Sequence, residues 1–222
     1  MKTLTKEMQA SLTPQKATEL LIDGNKRFVN NLKYNRNLLQ QVNETSGGQH
    51  PFAIVLSCID SRTSAELIFD QGLGDIFSAR IAGNIVNEDI LGSMEFACKI
   101  AGAKVIVVLG HTKCGAVKGA CDDVKLDNLT ILLEKLKPAV NAETTVSNNR
   151  NSANSEFVEK VAALNVKLTM EKIKEKSPLL NKMIEENEIA LIGGMYNVDT
   201  GIVEFYDPYN AVNPVKVETE VN

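Results

Sequence analysis

The sequence predicts an α/β fold: a mostly parallel central sheet of about four strands plus a C-terminal antiparallel strand, flanked by helices and preceded by an N-terminal helical arm. Three observations carry this. Residues 52–57, 76–80, 104–110 and 189–192 are short continuous apolar runs, the pattern of strands buried on both faces. Helical patterns separate them, as βαβ units require. The chain of 222 residues, 44% hydrophobic and 23% charged, is long enough and apolar enough to bury a sizeable core.

Thr13-Pro14 followed by Ala17, Leu20, Leu21 and Phe28 reads as a capped helix with one apolar face. Residues 34–48, polar and rich in Asn, Gln and Gly, read as a connection. After the first strand (52–57), helical patterns at 64–70, at 88–101 closed by Gly102, and at 116–121 alternate with the strands at 76–80 and 104–110. Residues 127–137 form an amphipathic pattern that Pro138 stops, and the Asn/Ser-rich 144–155 reads as an exposed loop. From 155 to 176, Phe157, Val161, Leu164, Leu168 and Ile173 keep helical register. At the C-terminal end, EIALIGGMYNV, DTG and IVEFYD read as two strands joined by a tight turn, which adds the antiparallel strand. The chain has no internal repeat.

Composition removes several functions. With 24 Lys+Arg against 28 Asp+Glu, the net charge of −4 gives no global field for nucleic acid or an anionic membrane. Two His exclude a scheme that needs several histidines. Four Cys are too few for a disulfide-stapled scaffold, and residues 1–12 lack the apolar run of a signal peptide. The longest apolar stretches are too short to span a bilayer. A reducing, cytoplasmic setting is expected.

Three short stretches stand at the carboxyl ends of expected strands, where open α/β sheets bind ligands. They are Cys58-Ile59-Asp60-Ser61-Arg62, Arg80-Ile81-Ala82-Gly83-Asn84 and Gly110-His111-Thr112-Lys113-Cys114-Gly115. Two thiolates and an imidazole from Cys58, His111 and Cys114 suit tetrahedral zinc, and three protein ligands with an open fourth position is the catalytic pattern. The competing reading makes both cysteines small buried apolar residues and His111 a loop histidine. Asp60 and Arg62 read equally well as a carboxylate held ionised beside a metal or as a surface ion pair at a helix start. Cys98 and Cys121 read as core or surface thiols.

C-x-D-x-R at 58–62, R-x-A-G-N at 80–84 and G-H-x-x-C-G at 110–115, in this order and spacing, resemble the β-class carbonic anhydrases. DQGLGDIF before Arg80 and LGSMEFA after Asn84 strengthen the resemblance, which runs from about Leu20 to the C-terminal strands. It implies one α/β unit over residues 1–222, with an arm and linker at 1–48 and a zinc-binding core at 49–222. It implies one Zn²⁺ per chain on Cys58, His111 and Cys114, with Asp60 and Arg62 as the catalytic pair and Asp60 able to become a fourth ligand in a closed state. Gln49 corresponds to a substrate-facing glutamine contributed across a dimer interface, and Phe77 and Ala82 to positions lining an apolar CO₂ pocket. Phe96 stands where many members have Tyr. A noncatalytic bicarbonate site of some members, built from Trp, Arg and Tyr, is matched by Arg80 and Tyr196 but has Val55 at the Trp position.

The implied reaction is CO₂ + H₂O ⇌ HCO₃⁻ + H⁺, with CO₂ and bicarbonate as the small-molecule partners. Asp60, held by Arg62, would accept the hydroxide proton and aim an oxygen lone pair at CO₂, and Gln49 would donate to the oxygen that turns negative. His50, the second histidine, reads more simply as a surface residue than as a proton shuttle. Two alternatives stand beside it: hydrolysis of carbonyl sulfide or carbon disulfide on the same scaffold, and, of another class, a noncatalytic zinc- or bicarbonate-binding protein. The resemblance also implies a homodimer, possibly a tetramer or larger, embraced by the N-terminal helices.

Overall fold

The computed structural model describes residues 3–206 and the backbone of Pro214 and Val215. Helices α1 (Lys6–Ser11) and α2 (Pro14–Val29) open the chain. Thr13 caps α2 by accepting the Lys16 N–H at 3.2 Å, and Pro14 occupies the first turn, where no N–H is needed. A short helix α3 (Leu38–Thr45) follows, then β1 (Ala53–Ser57), α4 (Ala65–Ile68), β2 (Ile76–Arg80) and α5 (Glu88–Glu95), which continues into a wider π-type turn at Phe96–Ile100. Next come β3 (Val105–His111), α6 (Gly115–Cys121), α7 (Asp127–Glu134), α8 (Lys137–Ala142), α9 (Ser155–Lys176) and α10 (Pro178–Glu185). Strands β4 (Ala190–Tyr196), β5 (Val203–Tyr206) and the two-residue β6 (Pro214–Val215) complete the sheet.

The strand order is β2-β1-β3-β4-β5-β6. The first four are parallel and the last two antiparallel, which is the expected α/β sheet with one further short strand. Successive side chains leave a strand on opposite faces, so each strand feeds two cores. Ala53, Val55, Val105 and Val107 pack with Ala17 and Leu21 of α2 and Ile68 of α4. Ile54, Leu56, Ile106 and Val108 pack with Met94 of α5, Val166 and Ile173 of α9 and Leu180 of α10. Close approach is built in by glycine: a Cβ on Gly24 would stand 1.8 Å from the Phe69 carbonyl oxygen, so only glycine lets α2 lie on the turn after α4.

Local differences from the sequence expectation have local causes. The segment 34–48 contains α3, because Asn37 caps it by accepting the Gln40 N–H at 3.0 Å and Gln41 buries itself against the 71–75 turn. Pro138 does not end a helix but sits in the first turn of α8, the position proline favours. Helix α1 has little apolar character and is anchored by Gln9, whose Nε2 donates to Pro51 O at 2.7 Å and Ala101 O at 2.8 Å. Helix α10 starts at Pro178 with Ser177 capping Leu180. Of the final expected strand, Asp207 lies outside the described residues.

Candidate active site and metal centre

β1 lies between β2 and β3, so the loops leaving these three strands are neighbours at one end of the sheet. In register, Ser57 pairs with both Arg80 and Leu109, which brings the residues that follow them together. The Cys58 and Cys114 thiols and a ring nitrogen of His111 fall within 4.8 Å of one another, and all three residues are buried. The sequence-expected ligand set is therefore assembled by the ends of two strands and the turn before α6.

His111 shows how the set is oriented. Its Nδ1 lies 2.9 Å from the Thr112 carbonyl oxygen, an acceptor, so Nδ1 carries the hydrogen and Nε2 keeps a free lone pair. Nε2 is buried and has no hydrogen-bond partner. A buried ring nitrogen left open, beside two thiols, is what a bound metal ion would satisfy. The residues fit such an ion.

The thiols are electrostatically unequal. The Cys58 thiol is lowered to about 4, first by the hydrogen bond from Cys114, with smaller help from the Gly83 N–H at 3.4 Å, against the opposing effect of burial. Cys114 is pushed up, first because it donates to Cys58 and then by burial. The pair thus shares one proton, and a divalent ion on both sulfurs would displace it. Gly83 can present its N–H because its φ of 72° is one that glycine tolerates, and a Cβ there would press on Leu136 at 2.9 Å. Asn165 of α9 secures this glycine by donating to its carbonyl at 2.8 Å.

Asp60 and Arg62 form a two-point pair. Arg62 Nε reaches Oδ1 at 2.9 Å and Nη2 reaches Oδ2 at 2.8 Å, while the Arg62 N–H adds 3.0 Å to Oδ1. The guanidinium hydrogen bonds hold the Asp60 carboxyl well below the usual carboxylate range. Asp60 Oδ2 is 4.0 Å from His111 Nε2. The loop itself is clamped by Arg80, which donates to Cys58 O at 3.1 Å and Asp60 O at 2.6 Å, and by the Thr63 hydroxyl, within 3.0 Å of both carbonyls. Arg80 is thus engaged with the loop, and Tyr196 and Val55 are buried in the sheet core.

A cavity of about 290 Å³ opens beside the ligands, bordered by Cys58, Asp60, Ala82, Gly115, Leu129 and Leu133. Ala82 is where the sequence placed it. Phe77 instead lies on the edge strand β2, edge-on to Phe96 at 6.2 Å, and both border a separate cleft of about 750 Å³. Gln49 is exposed ahead of β1 and does not line the cavity. His50 lies within electrostatic reach of Glu7 at the start of α1. Cys98 is buried beneath α5 and pushed up to about 12 by that burial.

Sequence reasoning missed Thr63 and Asn165. Thr63 gives no signal, being one hydroxyl among many at a helix start. Asn165 does: it interrupts the apolar stripe of α9, one turn after Val161, and a buried polar residue there must have a partner.

The fold and site together define an α/β protein with a buried Cys-His-Cys centre and an oriented Asp-Arg pair at the strand ends. Comparison with known proteins narrows this class. The family profile described as carbonic anhydrase matches residues 53–203. Carbonic anhydrase 2 of Mycobacterium tuberculosis is 33% identical over 196 residues, covering 85% of this chain and 90% of that protein. The carbonic anhydrase of Mycolicibacterium smegmatis is 32% identical over 198 residues, covering 86% and 92%. The solved structure of the β-carbonic anhydrase CcaA superposes with a TM-score of 0.69 at 26% identity, covering 92% of this chain and 94% of that one. The chain belongs to the β-class carbonic anhydrase family and is a carbonic anhydrase enzyme.

Proposed function

We propose that the protein catalyses the zinc-dependent, reversible hydration of carbon dioxide to bicarbonate and a proton. The observation that carries this reading is the open, buried His111 Nε2 converging with two thiols, with an ionised carboxylate 4.0 Å away. Cys58, His111 and Cys114 would hold the ion, and Zn²⁺ in such a site would supply a nucleophile at neutral pH by lowering the pKa of water from 15.7 toward about 7. Two thiolates offset the charge of the ion, which weakens that acidification and leaves more to the surrounding residues.

Asp60 does the orienting. Fixed at both oxygens by Arg62, it is always available as an acceptor, takes a hydrogen bond from the attacking O–H and directs the remaining lone pair toward CO₂. The apolar walls from Ala82, Leu129 and Leu133 suit an uncharged, weakly polar substrate. Gln49 and Phe77 complete this site across a dimer interface. Neither residue borders the cavity of its own chain, which supports that reading, as does the exposure of Phe96 (53%), which packs edge-on to Phe77 of the edge strand. The N-terminal helical arm then embraces the partner. Among the described residues no helix is long and apolar enough to cross a membrane, and the four cysteines are free thiols, which supports action in the reducing cytoplasm.

The deciding experiment is zinc content together with stopped-flow CO₂ hydration from pH 6.5 to 9, on wild type and Asp60→Asn. One zinc per chain and a mutant strongly impaired at every pH are expected. A zinc-free active protein, or a mutant as active as wild type, overturns the reading.

A further inference from the structure

Thr112 and Lys113 stand between the ligands His111 and Cys114, so the shape of this two-residue turn fixes how the imidazole and the thiol meet. Lys113 has a φ of 58°, in the left-handed region that residues with a side chain seldom adopt. Something must hold it there. The Thr112 N–H donates to Tyr196 O at 2.9 Å, and Thr112 Oγ1 accepts the Val198 N–H at 3.0 Å, which ties Thr112 to the end of β4. Lys113 Nζ pairs with Asp199 at 2.6 Å, but both side chains are more than half exposed, and solvent and salt weaken such a pair.

The left-handed residue itself is held from the other side. Its N–H donates to Glu159 Oε1 at 2.9 Å, from the first half of α9. Helix α9, packed against both β3 and β4, is a rigid support for that acceptor. The second oxygen, Glu159 Oε2, is buried without a hydrogen-bond partner. Local stability does not account for that, because an unpaired buried acceptor is a cost. The carboxylate makes sense if its task is at the turn.

We propose that Glu159 is a positioning residue for the metal centre. By accepting the Lys113 N–H, it keeps the His111–Cys114 turn in the left-handed conformation that presents both ligands to one ion. The inference rests on the metal-binding reading above. It concerns the acceptor geometry, not the negative charge, so Gln at this position preserves the function and Ala does not.

The test measures Zn²⁺ affinity by chelator competition and the visible absorption of the Co²⁺-substituted protein for wild type, Glu159→Ala and Glu159→Gln. Glu159→Ala is expected to bind Zn²⁺ roughly 10–100-fold more weakly, the range seen when a residue supporting a metal ligand is lost. Its Co²⁺ bands shift, while Glu159→Gln stays close to wild type in both. A merely structural role would lower the melting temperature and leave the Co²⁺ spectrum in place. Wild-type affinity and spectrum in Glu159→Ala overturn the proposal, as does a Glu159→Gln variant impaired as badly as Glu159→Ala. Should Glu159→Ala fail to fold, hydrogen exchange of the Lys113 amide in zinc-loaded wild type and Glu159→Gln decides. Protection in both supports the proposal, and rapid exchange in either overturns it. Wild type that binds no Zn²⁺ removes the metal reading and this proposal with it, whereas tight wild-type binding with an unaffected Glu159→Ala removes this proposal alone.

Discussion

The molecule uses the same pair of residue types twice, to opposite ends. At the strand ends Asp60 is gripped by Arg62, whose side chain is 48% exposed, two positions along the same loop. Beneath the arm Asp70, whose side chain is 2% exposed, is gripped by Arg27 at 2.6 Å and by Arg36, with the Tyr34 N–H adding a third donor at 3.3 Å. Both guanidinium groups there also lie over the Tyr34 ring. An Arg left in water orients a carboxylate without sealing it, so another molecule can still reach its oxygens. Two Arg sealed with an Asp leave nothing to reach, and the group can only hold chain segments together. Solvent access, not residue type, separates a pair whose carboxylate can meet a reactant from one that can only hold the fold together.

The strongest way to break this comparison is to neutralise each Asp in turn. Asp60→Asn is expected to lower kcat by roughly 10²–10⁴-fold, the span associated with a positioned proton-accepting group, with little change in the unfolding midpoint. Asp70→Asn is expected to do the reverse. Removing the Asp70 charge takes the carboxylate out of a buried ion pair and costs about 3 kcal/mol or more in denaturant unfolding. Activity per folded molecule stays unchanged. A large catalytic loss in Asp70→Asn with normal stability would erase the distinction.

A pH series sharpens the same contrast. Burial pushes the Asp70 carboxyl up, but the hydrogen bonds from Arg27 and then Arg36 outweigh it, so its value in the fold is below the ordinary one. A depressed carboxylate stabilises the fold above the unfolded value of about 3.9, and that stabilisation is lost as pH falls through the folded value. Burial raises the Asp75 carboxyl, a few residues on, and outweighs the Gly72 N–H at 2.7 Å and the nearby Arg36 charge, so its contribution has the opposite sign. It is full below the unfolded value and fades as pH rises through the raised one. Wild type should therefore lose stability between pH 4 and 2 more steeply than Asp70→Asn, and the stability of Asp75→Asn relative to wild type should be greater at pH 7 than at pH 4. Parallel pH curves for wild type and Asp70→Asn would show that the triad carries no such linkage.

What the sequence could disclose follows from separation along the chain. Asp60 and Arg62 are two residues apart, and His111 and Cys114 three, so each pair is visible as a motif. Cys58 joined them because apolar runs placed all three stretches at strand ends. The partners of Asp70 lie 43 and 34 residues away, and nothing local marks Arg27 or Arg36 as its ligands. The same limit hid Glu159, whose contact with Lys113 spans 46 residues. Helix α3 was missed because its order comes from tertiary contact through Gln41, and the role of Pro138 because proline both ends and begins helices. Gln49 and Phe77 do not border the cavity of their own chain, and no local pattern marks either, so they enter the proposal only through the family resemblance.

The smallest expected effect is the most discriminating for how the working pair operates. Arg62→Lys keeps the positive charge but replaces a planar fork, now meeting both Asp60 oxygens, with one mobile ammonium. If Arg62 serves only to keep Asp60 ionised, the lysine suffices and stopped-flow rates match wild type. If it serves to fix the direction in which the carboxylate oxygens point, the charge is not enough, and kcat falls by about tenfold, well short of the Asp60→Asn loss. The two-point geometry favours the second outcome. Because the Arg62 side chain is about half exposed, the unfolding midpoint should not move in either case. Wild-type rates across pH 6.5 to 9 would show that electrostatics alone holds Asp60 in its role, and the exposed pair would then differ from the sealed one in access but not in geometry.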